Sequence, residues 1–108
     1  MDHTAFENGV NDAQADIAAG RRRLFWQTRG SWGDLFVVRM QERFSSQVIH
    51  VSDMVSADEL AYQDGYNCTI KSNIDLIFGS GSFDRTWDEI QRYRQETYQR
   101  RFAGEASD

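Results

Sequence analysis

From residue 57 to residue 78 the apolar side chains recur at a helical period. Tyr62, Tyr66, Ile70, Ile74 and Ile77 stand at i, i+4, i+8, i+12 and i+15, which puts them on one stripe of a single long helix. Asp53 or Ser56 is placed to cap its start, and Gly79 and Gly81 close it. A second stripe, Phe83, Trp87, Ile90 and Tyr93, drifts on to Tyr98 and Phe102. It predicts a last helix from Ser82 or Asp84 to about Phe102, followed by a tail from Gly104 to Asp108.

Ahead of residue 57 the pattern changes. Leu24, Phe25 and Trp26 are strand-forming types, and a strand is predicted over 21–29, ended by Gly30. Leu24 and Trp26 would share one face, and Arg23, Phe25 and Gln27 the other. Val48, Ile49, His50 and Val51 predict a second strand over 47–52. Between them, Phe36, Val37, Met40 and Phe44 give a helical stripe from Ser31 to Phe44, while Arg39, Glu42 and Arg43 fall away from it. A strand, a helix and a second strand in that order predict a right-handed unit with a parallel pair. The first nine residues are polar and read as loose. Asn11 or Asp12 then caps a helix to Ala19, with Val10, Ala13, Ile17 and Ala18 as its weak apolar positions and Gly20 just past its end.

The predicted order is therefore α-β-α-β-α-α, one α/β domain over 1–108, with a helix-rich α+β reading also open. Two strands alone make a marginal sheet in water. They need helices over them, or extension by a partner chain.

Composition narrows the function classes. Hydrophobic residues make up 40% and charged residues 27%, which argues against a disordered chain. Cys68 is the one cysteine, so no intrachain disulfide can form and nothing points to an oxidising compartment. No basic opening followed by an apolar run suggests a signal peptide, and no apolar stretch approaches the ~20 residues that span a bilayer. The expected location is the cytoplasm, without a membrane partner. The formal net charge of −5 weighs against nucleic acid. Arg21, Arg22 and Arg23, followed by Phe25 and Trp26, faintly suggest a single-strand platform, but a solvated strand start explains them equally well.

The long helix carries a second pattern. Ala57, Ala61, Gly65, Cys68 and Ser72 are small residues about a quarter-turn from the apolar stripe. Gly65 costs a helix ~1 kcal/mol relative to alanine, so something needs its space. That is another helix of the same chain, room for a ligand or, at Ala61, Gly65, Cys68 and Ser72, the face of a second copy. Cys68 would be a nucleophile only beside a base that lowers its pKa.

The other candidate site is the carboxyl end of the strand pair, where open α/β sheets gather ligands. Arg29 and Ser31 precede a helix start whose free N–H groups attract anions. Trp32, His50 and Asp53 would lie at the same end. The pattern matches neither the dinucleotide-binding nor the phosphate-loop glycine spacing, and no HxxxH or CxxC spacing marks a metal site. In the last helix, Asp88–Arg92 and Glu96–Arg100 are spaced as surface ion pairs. The expectation is a non-enzymatic interaction or regulatory module, acting as a homodimer or on another protein, with no cofactor, no catalytic residue and no metal. The alternative is a small-molecule or anion-binding domain built on Arg29, Ser31, Trp32, His50 and Asp53.

Overall fold

The computed structural model describes residues 3–28, 30–52 and 54–106, with side chains over 4–28, 32–52 and 54–100. Six elements follow in the expected order: α1 (His3–Ala18), β1 (Arg23–Trp26), α2 (Gly30–Phe44), β2 (Gln47–His50), α3 (Ala57–Phe78) and α4 (Ser82–Ala106). β1 and β2 pair in parallel, Leu24 beside Val48 and Trp26 beside His50.

Both strands are shorter than expected, four residues each. Both outer helices are longer. α1 begins at His3, so residues 3–9 are helical rather than loose, and α4 continues through Gly104 to Ala106. The reason at the amino end is Gly9. It is buried against α3, where a Cβ would stand 2.1 Å from the Tyr62 carbonyl oxygen. This glycine gives close approach rather than a turn.

Local chemistry explains the boundaries. α1 ends at Gly20, whose φ of 79° is left-handed. The Gly20 N–H reaches the Ile17 carbonyl at 3.0 Å, and the Arg21 N–H reaches that of Asp16 at 2.8 Å, the paired closure that glycine permits. At the start of α3, the Ser56 hydroxyl accepts from the Glu59 N–H at 3.1 Å, and Asp58 and Glu59 suit the positive end of the helix. Gly79, with φ 111°, ends it. Asp75, in the last turn of α3, then accepts from the Phe83 N–H at 3.2 Å and so tethers the first turn of α4.

The core sits between the sheet and the helices. Leu24, Phe36, Met40, Tyr66, Ile70, Ile74 and Ile90 are fully buried, each apolar side chain of this kind stabilising by ~1.5–3 kcal/mol. Trp26 of β1 packs on Phe36, Phe83 and Trp87, with ring centroids 5.0, 5.9 and 5.2 Å away. Lys71 lies 5.3 Å from the ring centres of both Trp26 and Phe83. On the other face of β1, Phe25 meets Tyr66 edge-on at 5.0 Å. Two residues of the expected stripes do not reach the core. Val37, 38% exposed, lies about 20° past Phe44 at the margin of the α2 stripe; Ile77, 52% exposed, is in line with the α3 stripe but stands in the last turn of the helix. The molecule measures 54 × 32 × 18 Å with a radius of gyration of 16.1 Å. A compact domain of this length would have ~13 Å. The excess fits α4, whose 25 residues span ~37 Å and whose side chains from Arg92 to Arg100 are mostly exposed.

Candidate functional site

The strand carboxyl ends do come together, since Trp26 and His50 are neighbours in the sheet. Beside them opens a cleft of about 410 Å³, with Trp26, Trp32, Ser52, Asp64 and Asn67 among its walls. Trp32 is half-buried, edge-on to Trp87 at 6.2 Å, with the Arg94 guanidinium 5.3 Å from its ring centre. His50 is turned elsewhere. Its Nδ1 accepts from the Thr28 N–H at 3.3 Å and lies 3.0 Å from the Thr28 hydroxyl. It therefore ties the end of β2 to the chain leaving β1. Arg29, Asp53 and the side chain of Ser31 lie outside the described residues. Of the five residues expected at this end, Trp32 alone is shown on the cleft.

The two edges of the sheet differ. In the parallel ladder the Gln47 N–H donates to the Arg22 carbonyl at 2.9 Å and the Val51 N–H to that of Trp26 at 3.1 Å. Residues 47, 49 and 51 thus turn their backbone groups toward β1, and Val48 and His50 turn theirs away. On β1 the groups of Phe25 face outward. The Asn67 side chain takes both of them: its Oδ1 accepts from the Phe25 N–H at 2.9 Å, and its Nδ2 donates to the Phe25 carbonyl at 2.8 Å. One amide of α3 stands in for a third strand. No described residue does this for Val48 or His50.

One member of the small-residue stripe of α3, Gly65, is used within the chain. Gly65 is buried, and a Cβ on it would stand 2.2 Å from the Phe6 carbonyl oxygen of α1. Gly65 and Gly9 together let the two backbones approach. Of the readings open for Gly65, a helix of the same chain is the one found: α1 fills its space, so Gly65 is not free to serve a second copy. Ala61 is half-buried, while Cys68 and Ser72 are exposed on a cleft of about 540 Å³ shared with Phe6, Trp26, Lys71 and Asp84.

A polar cluster locks α1, β1 and α3 together. Asp16, 7% exposed, accepts from the Tyr66 hydroxyl at 2.6 Å, from Arg23 at 2.7 Å and from Arg21 at 3.1 Å. The Tyr66 hydroxyl first, then the Arg23 guanidinium, hold the Asp16 carboxyl down at about 2. Arg23 is raised, chiefly by its bonds to Tyr66 and Asp16. Burial, then the bond to Asp16, pushes the Tyr66 phenol up. One turn away the Tyr62 hydroxyl donates to Asp12 at 2.6 Å, and burial, then that bond, pushes Tyr62 up to about 12. Arg22 donates to the Asn73 side-chain Oδ1 at 2.7 Å and lies 5.6 Å from the Phe78 ring centre. The Arg21–Arg23 cluster is therefore engaged by the chain's own carboxylate, amide and aromatic groups. The i,i+4 spacing of Asp12 and Asp16, matched by that of Tyr62 and Tyr66, is the sequence signal that could have revealed the arrangement.

A third concavity, of about 600 Å³, lies where α2, α3 and α4 meet, lined by Arg43, Phe78, Arg85, Glu89, Arg92 and Tyr93 among others. Arg43 donates to Glu89 Oε1 at 3.1 Å and to the buried Thr86 hydroxyl at 3.2 Å. The Asp88–Arg92 and Glu96–Arg100 pairs expected within α4 do not form; Glu89 reaches across to α2 instead. Among the described residues, no group of three or more His, Cys, Asp or Glu side chains could hold a metal ion, and no helix is long and apolar enough to cross a membrane. The chain matches no protein-family model, no curated protein and no solved structure.

Proposed function

We propose that the chain is a non-enzymatic interaction module that works as a homodimer. The observation that supports this is the unequal treatment of the two sheet edges. On β1 Asn67 takes both outward groups of Phe25, while on β2 the backbone groups of Val48 and His50 have no described partner. A two-stranded sheet is marginal, and an open edge is a template for another chain. The test is the molar mass by light scattering across a wide concentration range. A mass rising toward twice that of the 12.5 kDa chain supports the reading, and a monomer mass throughout contradicts it.

The cleft beside Trp32 supports a second reading, a small-molecule or anion site. Its polar groups Ser52 and Asp64 stand beside two tryptophans, a mixture that suits a small organic ligand. A thermal-shift screen of phosphates, nucleotides and carboxylates tests it. A stabilising ligand whose effect is lost in Trp32→Ala favours this reading; no shift across the panel removes it.

A further inference from the structure

We infer that two copies of the chain join through the outer edge of β2, antiparallel about a two-fold axis at Ile49, to form one four-stranded sheet. This rests on the self-association reading above and adds its surface and register.

The register follows from which backbone groups are available. The outward groups of β2 belong to Val48 and His50. An axis at Ile49 sets Val48 opposite His50 of the other copy and His50 opposite Val48, so every outward N–H and C=O of the strand finds a partner. An axis at Val48 would set His50 opposite Ser46, whose N–H already bonds the Met40 carbonyl at 3.1 Å and whose side chain is fully buried. An axis at His50 would set Val48 opposite Ser52, beyond the strand, whose hydroxyl accepts from the Met54 N–H at 3.0 Å.

Charge and burial point to a second copy as the occupant. A two-fold contact brings identical surfaces together, so any net charge in it faces its own sign. The whole chain carries −5, yet Ser45 to Ser52 contains no Asp, Glu, Lys or Arg. Val48 and Ile49 are left half-buried by their own chain, and the axis would place Ile49 against Ile49 on one face. α4 contacts Trp26 of β1 and packs on both α2 and α3, and α3 lies at the β1 edge. Arg39 and Arg43 of α2 turn toward its Glu89. The exposed Val37 stands about 160° round α2 from Arg39, on its other flank.

The test uses the full chain carrying Cys68→Ser, which removes the exposed native thiol. Residues facing each other at a non-hydrogen-bonded antiparallel position have Cα atoms ~4.5 Å apart, within reach of a disulfide. Ile49→Cys should therefore give a covalent dimer on mild oxidation. Gln47→Cys should not, because two copies of position 47 would lie roughly 14 Å apart along the strands. Val48→Pro removes an outward N–H without touching the β1 ladder, and should give a folded monomer. If the wild-type chain dimerises but Ile49→Cys does not crosslink, or crosslinks no better than Gln47→Cys, the surface or register is wrong while self-association stands. If the wild-type chain stays monomeric at every concentration, both fall. Should Val48→Pro fail to fold, the two cysteine variants decide alone.

Discussion

The Asn67 side chain and the Phe25 backbone form a closed pair, N–H to Oδ1 at 2.9 Å and Nδ2 to carbonyl at 2.8 Å. It is the same exchange that a neighbouring strand would make. Leucine has nearly the size of asparagine but neither hydrogen-bonding group. Each unsatisfied, partly buried backbone group costs ~1–3 kcal/mol. Asn67→Leu should therefore lower the unfolding free energy by ~2–4 kcal/mol in urea titration. Asn67→Asp keeps the acceptor but sets a carboxylate against the Phe25 carbonyl, and it should also destabilise. A neutral Asn67→Leu would show that the edge is not held this way.

Gly9 and Gly65 give a test by sign. In an ordinary helix interior, Gly→Ala stabilises by ~1 kcal/mol. Here a Cβ would meet backbone oxygen at 2.1 Å from Gly9 and 2.2 Å from Gly65, and backbone cannot swing aside. The helices must separate, at a cost of ~1–3 kcal/mol or more. Either substitution should lower the melting temperature. An increase would mean that α1 and α3 are not in close contact.

Acid should weaken the Asp16 cluster. Its carboxyl is held at about 2 in the folded chain by Tyr66 and Arg23, against ~3.9 when unfolded. A depressed carboxyl pKa contributes stability that is present above the unfolded value and lost as pH falls through the folded one. Stability should thus decline between about pH 4 and pH 2. Tyr66→Phe removes the first of the restraining bonds. It should cost ~1.5–3 kcal/mol at neutral pH and weaken the pH dependence in that window. Urea titrations at a series of pH values measure both effects.

Glu89 offers the contrast. Its carboxyl is lowered, chiefly by Arg43, but the pair is 41% and 45% exposed at the side chains. Water and salt screen such a pair, and its value is ~0.2–1 kcal/mol. Glu89→Gln should change stability by less than ~1 kcal/mol, and the change should shrink in high salt. A loss as large as that of Tyr66→Phe would contradict this ranking.

Periodicity read the long elements well because many residues vote on them. The stripe from Tyr62 to Ile74 defined α3, and the helical run between two apolar strands defined the parallel pair. Position-specific contacts were less legible. Gly9 reads locally as a breaker, and only the α3 backbone above it shows that it permits packing. Asn67 looks like any polar residue on a helix until the edge of β1 is placed beside it. The Tyr–Asp pairs are fifty residues apart in sequence, so no local window contains them. At the candidate ligand site, the place of Trp32 in the first turn of α2 puts it on the cleft, whereas the hydrogen bond of His50 to Thr28 depends on loop geometry that no local pattern carries.

Amide hydrogen exchange, followed residue by residue at two protein concentrations, tests the central account most directly. In dilute solution the Phe25 N–H should be protected by Asn67 and the Ile49 N–H by β1, while Val48 and His50 exchange as open amides. At high concentration the Val48 and His50 N–H groups should become protected too, with the others unchanged. Fast exchange at Phe25, or open amides at Val48 and His50 regardless of concentration, would contradict the sealed and unsealed edges on which the proposed assembly depends.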